Sequence, residues 1–228
     1  MNRFVWAGIA LISAILILGT VHGDFAYSGF EVVGFITGLV SVWLAVKNSP
    51  WNWPIGNIEC AAYLILFLNV KLYANAFLQA VFIVIGFWGW YQWLRGGKNA
   101  TPRPLSKLST SGWVGFVIST IVCTLVVTQF VTAINGAAPF WDTLTTALSL
   151  VATYIMGRRH LGNWLVWMGT DVIYIALFYS QGLYLTTFLY FLFLLMCIRG
   201  YWEWQREIVK LDAAHDTGPD HREVLPVS

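Results

Sequence analysis

The sequence predicts an all-α polytopic membrane protein with eight transmembrane helices: one N-terminal helix, then two parallel three-helix repeats joined by a linker helix. Three observations carry this. The 228 residues are 58% hydrophobic and only 11% charged, with a mean hydropathy of +0.66, a balance that soluble domains do not have. Eight apolar runs approach or reach the length that crosses a bilayer. The chain also repeats itself at a constant offset of 111 residues.

In chain order the apolar segments are 4–21, 29–46, 53–70, 75–95, 112–133, 139–157, 162–180 and 183–204. The first follows Arg3 and lacks an A-x-A cleavage pattern, so it reads as a retained helix occupying 1–28 rather than a signal peptide. Segments two to four form a first repeat, 29–95. A Gly-, Pro- and Lys-containing stretch, GGKNATPRPLSK, is a hydrophilic loop, and with segment five it makes a connecting unit over 96–138. Segments six to eight form the second repeat, 139–206, and a polar tail over 207–228 is expected to be only partly ordered.

The repeat is gapless. Asn52-Trp53 matches Asn163-Trp164, Tyr63 matches Tyr174, Leu72-Tyr73 matches Leu183-Tyr184, and Trp93 matches Trp204. Three helices per repeat is an odd number, so two repeats joined directly would point in opposite directions. Segment five crosses once more and restores the orientation. Parallel repeats about an axis along the membrane normal form a transporter architecture, with the substrate between the halves. With the N-terminus inside, twelve of the thirteen lysines and arginines fall on the inner side and only Lys71 outside. Both termini are therefore expected in the cytoplasm.

The seventh segment holds the chemistry. Counted from Gly162, Asp171 lies roughly 13 Å along a helix, near the middle of a hydrocarbon core about 30 Å thick. An acid there faces a cavity or a partner rather than lipid. Trp164, Trp167, Asp171 and Tyr174 share one helical face, and an acid among aromatic rings suits a flat cation. Interfacial placement of Trp164 and a purely structural Asp171 are the competing readings. In the first repeat Gly56 stands for Trp167 and Cys60 for Asp171, so its equivalent face is nearly apolar. That repeat offers Asn57 and Glu59 instead, with an ion pair from Glu59 to Arg95 as the alternative. Gln79 and Tyr190, which align between the repeats, complete the binding candidates. Asn163 is a candidate too, although Asn52 and Asn163 both suit helix caps, as do Glu31 and Asp142.

Catalytic patterns are missing. The four histidines lie in loops or the tail, Cys60, Cys123 and Cys197 sit in apolar segments, and no phosphate-loop or nucleophile-elbow motif occurs. No cofactor, metal, nucleic acid or enzymatic activity is expected. An assembly factor or intramembrane enzyme is the reading from another class, and a midplane acid in a duplicated bundle speaks against it.

The 3+1+3 plan, the tandem Asn-Trp pairs and above all NWLVWMGTDVIY resemble the PnuC family of bacterial nicotinamide riboside transporters over about residues 28–206. The resemblance implies a fold related to the SWEET sugar carriers, a homotrimer and an inner-membrane location. It also implies facilitated diffusion of nicotinamide riboside, with a cytoplasmic riboside kinase trapping it for NAD synthesis. On this fold thiamine, riboflavin or a sugar are the alternative cargoes. The residues agree with a flat pyridinium carrying a ribose: Trp164 and Trp167 to stack, Asp171 to offset the charge, and Asn57, Gln79, Tyr174 and Tyr190 for hydroxyls.

Overall fold

The computed structural model describes residues 2–22, 28–69, 71, 73–133, 140–180 and 184–216. It consists of eight long helices: α1 (Asn2–His22), α2 (Gly29–Val46), α3 (Asn52–Asn69), α4 (Tyr73–Arg95), α5 (Thr110–Ala133), α6 (Phe140–Gly157), α7 (Asn163–Ser180) and α8 (Tyr184–Asp216). A single 3₁₀ turn, Lys98–Ala100, lies between α4 and α5. No strand occurs among the described residues. All eight expected spans appear, most within two residues of their expected ends. The exception is α8, which runs on to Asp216 through a stretch expected to be only partly ordered. The tail beyond 216 and the Leu72–Leu183 match lie outside the described residues.

By length and apolar composition alone, 29–46, 75–95 and 110–133 are long and apolar enough to cross a membrane. The helices α3, α6 and α7 have 18 residues each and carry Asn57 and Glu59, Asp142 and several threonines, and Asp171. Polar residues within short spans are what a bundle around a hydrophilic cavity requires.

Each repeat packs as a three-helix unit, with α3 against α2 and α4, and α7 against α6 and α8. The repeats meet along two seams, α2 on α8 and α4 on α6. Each seam has an outer helix. Leu16 of α1 packs with Val32, Phe35 and Leu39 of α2 and Leu189 of α8. On the other seam α5 packs on α6 and sets Phe130 5.1 Å from Phe77 of α4. Thus α1 occupies on its seam the place that the linker helix α5 occupies on the other, and the pseudo-twofold extends to all eight helices.

The repeats end α2 and α6 in the same way. Asn48 N–H bonds to Ala45 O and Ser49 N–H to Leu44 O; Arg159 N–H bonds to Met156 O and His160 N–H to Ile155 O. This is the Schellman closure, with Asn48 and Arg159 both at φ 56°. Asn tolerates that left-handed conformation; Arg at the same place costs about 1 kcal/mol.

Near this end the core is four tryptophans in a row: Trp53 to Trp93 at 5.8 Å, Trp93 to Trp204 at 5.6 Å, and Trp204 to Trp164 at 5.3 Å between ring centres. The outer pairs are edge-to-face, each worth about 0.5–1.5 kcal/mol beyond area burial. Trp53 rests on Gly89 and Trp164 on Gly200, where an added Cβ would sit 2.5 Å from the ring in both cases. The two glycines are equivalent in the repeat, and each clears the space its tryptophan fills.

Candidate functional site

Above the tryptophan row a cavity of about 780 Å³ opens between the repeats. It is large enough for a drug-sized ligand. The row forms its floor through Trp53 and Trp164; Glu31, Asn75 and Asp142, near the far helix ends, also line it.

From the second repeat come Trp167, Asp171 and Tyr174 on α7 and Tyr190, Phe193 and Cys197 on α8. Asp171 is 2% exposed, and its Oδ2 accepts a hydrogen bond from Cys197 Sγ at 3.4 Å. Among the described residues it makes no ion pair, so the acid is left to meet something in the cavity. Trp167 lies one turn before it, half-buried and lining the same space. Tyr174 packs on Tyr190 at 4.6 Å and on Phe178 at 5.5 Å, an aromatic wall beside the acid. Thr145 and Ser149 of α6 line the same cavity as Tyr174.

From the first repeat come Asn57, Glu59, Cys60 and Tyr63 on α3 and Gln79 on α4. Glu59 presses on α2 at Gly38, where a Cβ would lie 2.8 Å from Oε1. Asn57 presses on α4 at Gly86, whose missing side chain makes room for the amide, and Asn57 Nδ2 is buried with no partner. The alternative ion pair from Glu59 to Arg95 does not form: among the described residues the ion pairs are Lys47–Glu203, Arg199–Glu203 and Lys210–Glu207.

Of the sequence candidates, Trp167, Asp171, Tyr174, Asn57, Glu59, Gln79 and Tyr190 all line this cavity. Trp164 lines it from below; its ring is engaged by Trp204 and it is 1% exposed, so it is a floor rather than a free stacking face. Asn163 does not line it. Its Nδ2 donates to His160 O at 2.7 Å, bracing the α6–α7 turn. Sequence reasoning missed Thr145, Thr146, Ser149 and Thr153, a hydroxyl stripe down the cavity face of α6. Its signal was the three- and four-residue spacing of those hydroxyls after Asp142. Glu31, expected as a helix-start acid, does cap α2: Ser28 N–H donates to Glu31 Oε2 at 2.6 Å and Glu31 N–H to Ser28 Oγ at 3.2 Å.

Four acidic side chains therefore line the cavity, Glu31, Glu59, Asp142 and Asp171, while none of its described lining residues is Lys, Arg or His. Two flank the far end and two lie deep. Such a chamber favours a cation with an aromatic face and hydroxyls, and it opposes an anion. No group of His, Cys, Asp and Glu among the described residues is arranged to hold a metal.

Residues 28–206 match the family described as the nicotinamide mononucleotide transporter. The nicotinamide riboside transporter PnuC of Escherichia coli is 28% identical over 208 residues, spanning 80% of this chain and 87% of that protein. The riboflavin/roseoflavin transporter RibM of Streptomyces davaonensis is 27% identical over 180 residues, with 76% and 83% covered. The crystal structure of the vitamin B3 transporter PnuC superposes with a TM-score of 0.72 at 21% identity, covering 92% of this chain and 94% of that one. At that identity the likeness establishes the fold. The family match begins at residue 28, after α1.

Proposed function

Because the chain belongs to the nicotinamide mononucleotide transporter family, a family of multi-pass membrane transporters, we propose that it carries nicotinamide riboside and not the mononucleotide. One observation carries this reading: four acidic side chains, and no Lys, Arg or His, among the described residues that line the cavity. A riboside bearing a pyridinium cation is drawn into such a field. A phosphomonoester brings about two negative charges and meets no cationic side chain among the described lining residues. The pyridinium stacks on Trp167 beside Asp171, and the ribose meets Asn57, Glu59, Gln79 and the hydroxyls of α6.

In this proposal the protein sits in the bacterial inner membrane as a homotrimer with both termini cytoplasmic. The repeats rock about the cavity in alternating access. Transport is downhill, and a cytoplasmic riboside kinase traps the cargo for NAD synthesis. Riboflavin is the second reading, supported by the likeness to RibM. A neutral isoalloxazine leaves Asp171 without a partner, which places that reading second.

Uptake of labelled riboside into proteoliposomes without an ion gradient tests it. Equilibration that turns into accumulation when kinase and ATP are enclosed is the expected result. Riboflavin uptake without riboside uptake would overturn the substrate and keep the transporter.

A further inference from the structure

The side-chain bonds that cross between the repeats gather at one end of the bundle, that of the α2–α3 and α6–α7 turns, and they obey the 111-residue offset. Trp204 Nε1 of the second repeat donates to Ala45 O of the first at 3.0 Å. Trp93 Nε1 of the first donates to Met156 O of the second at 2.9 Å. Donors and acceptors are both equivalent pairs, so each repeat grips the last turn of the other's first helix in the same way. The two accepting carbonyls are those already used in the Schellman closures. Between them Arg159 Nη2 donates to Asn48 Oδ1 at 2.6 Å, and these two residues are themselves equivalent. A residue touching its own counterpart lies on the pseudo-twofold axis.

Each seam carries a further tie. On the α2/α8 seam Lys47 Nζ meets Glu203 Oε1 at 2.9 Å. At the equivalent positions of the α4/α6 seam stand Gln92 and Arg158, which cannot form an ion pair. There Arg103, from the connecting loop, reaches both: Nη1 donates to Gln92 Oε1 at 3.1 Å and Nε to Arg158 O at 3.0 Å. The loop supplies on one seam the link that the other makes directly.

We propose that this set is the gate closing the cavity towards the cytoplasm, with Trp93 and Trp204 as its two bolts and the Asn48–Arg159 contact as its pin. The proposal rests on the transporter reading only for what passes through and on the charge bias for which side is the cytoplasm. Three features argue that the set is bistable rather than merely cohesive. The bolts are single hydrogen bonds to carbonyls that keep their helix bonds when the bolt is drawn. The pin joins two equivalent side chains on the pseudo-twofold axis, so it parts when the repeats swing while the local closures of α2 and α6 stay intact. The tryptophan row beneath the cavity spans both repeats through the Trp93–Trp204 contact alone. Separating that one contact parts the floor into two edge-to-face pairs, each still seated on its glycine.

The cavity carries its own reporters, since Cys60 and Cys197 line it and Cys123 on α5 does not. With Cys123→Ser as background, a membrane-impermeant methanethiosulfonate reagent is applied to vesicles of each orientation. Trp93→Phe or Trp204→Phe keeps an aromatic ring, smaller than the indole, and removes the N–H. Each is expected to raise labelling from the cytoplasmic face about fivefold, and the pair together about thirtyfold, the changes that typical hydrogen bonds correspond to. Labelling from the opposite face should fall. Arg159→Gly is the second variant: glycine is at ease at φ 56°, so its fold is secure, and cytoplasmic labelling should still rise. Unchanged cytoplasmic labelling in the double variant and in Arg159→Gly overturns the gate. So does an equal rise from both faces, which reports general loosening. The readout needs no cargo: orientation-dependent labelling without riboside uptake would sink the substrate reading and leave the gate standing.

Discussion

The helices α3 and α7 are equivalent by sequence offset, begin with the same Asn-Trp pair and rest on the same glycine–tryptophan contact with α4 and α8. One turn further in they part. Where α7 has Trp167, Met168, Thr170 and Asp171, α3 has Gly56, Asn57, Glu59 and Cys60. Their partners changed with them: Glu59 leans on Gly38 where Thr170 has Ser149 at the matching place on α6, and Asn57 leans on Gly86 where α8 has Cys197. The repeats are alike where they hold each other and unlike where they face the cavity. In the proposed alternating access a symmetric frame would rock evenly about its axis, whereas a riboside has a cationic ring at one end and hydroxyls at the other. Symmetry serves the motion and its loss serves the cargo.

The largest expected effect comes from erasing the asymmetry at its acid. Asp171→Asn should weaken riboside binding about tenfold to a hundredfold, the range for a charge-assisted contact, read by ligand quenching of tryptophan fluorescence. Adding Cys60→Asp, which restores the charge in the other repeat, should not recover affinity. Recovery would mean that the two faces are interchangeable, and unchanged affinity in the single variant would remove Asp171 from the site.

Next comes the seat of Asn57. Gly86→Ala drives a methyl into that amide and should lower stability by about 1–3 kcal/mol, together with a loss of transport. Gly169→Ala, with nothing within 4 Å of the new carbon, should be neutral or slightly stabilising. Thermal unfolding of both variants in one detergent decides this, and an equal cost would show that Asn57 is not seated as described.

The seams offer a smaller contrast. Glu203→Gln removes two partly exposed ion pairs, to Lys47 across the seam and to Arg199 within α8, and should cost no more than about 1 kcal/mol, fading with salt. Arg103→Ala breaks two hydrogen bonds at once on the other seam and should cost more, with little salt dependence. Unfolding midpoints at low and high salt read out both.

The smallest effect is a pH dependence confined to the loop. Ser106 Oγ lies 2.8 Å from His160 Nδ1, and the backbone of Ser106 bonds to Arg159 O and Leu161 N–H. Burial first, then Arg103 and Arg158, hold the His160 pKa below its ordinary value of 6.5. The folded protein therefore binds fewer protons here than the unfolded chain, and the stabilisation is present above that value and lost as the pH falls below it. Amide exchange of Ser106 and Leu161 should quicken under mild acid, and His160→Gln should abolish the trend. Acid quickening that persists in the variant would assign it to another group.

The sequence made the frame legible because its signals are periodic. Apolar runs mark the spans, and identical residues 111 apart, such as Trp93 and Trp204, mark what both repeats need. Asp171 was legible because an acid in a span has few bland explanations. Trp164 was misplaced as a free stacking ring because one helix face does not reveal what crosses it from another; here Trp204 does. The hydroxyl stripe of α6 was missed because threonines in a membrane helix look ordinary until a cavity is seen beside them. Nothing local ties Trp204 to Ala45 either, for the bond joins residues 159 apart in the chain.

An acidic chamber with no Lys, Arg or His among its described lining residues, set in a symmetric frame, is expected to select the riboside. The most direct measurement is competition at equilibrium: labelled nicotinamide riboside bound to the purified protein, displaced by unlabelled riboside or by nicotinamide mononucleotide. Displacement by the riboside and none by the mononucleotide at a hundredfold excess is the predicted result. Equal displacement by both would mean that a phosphate is welcome among Glu31, Glu59, Asp142 and Asp171, and that the acidic lining does not select the cargo.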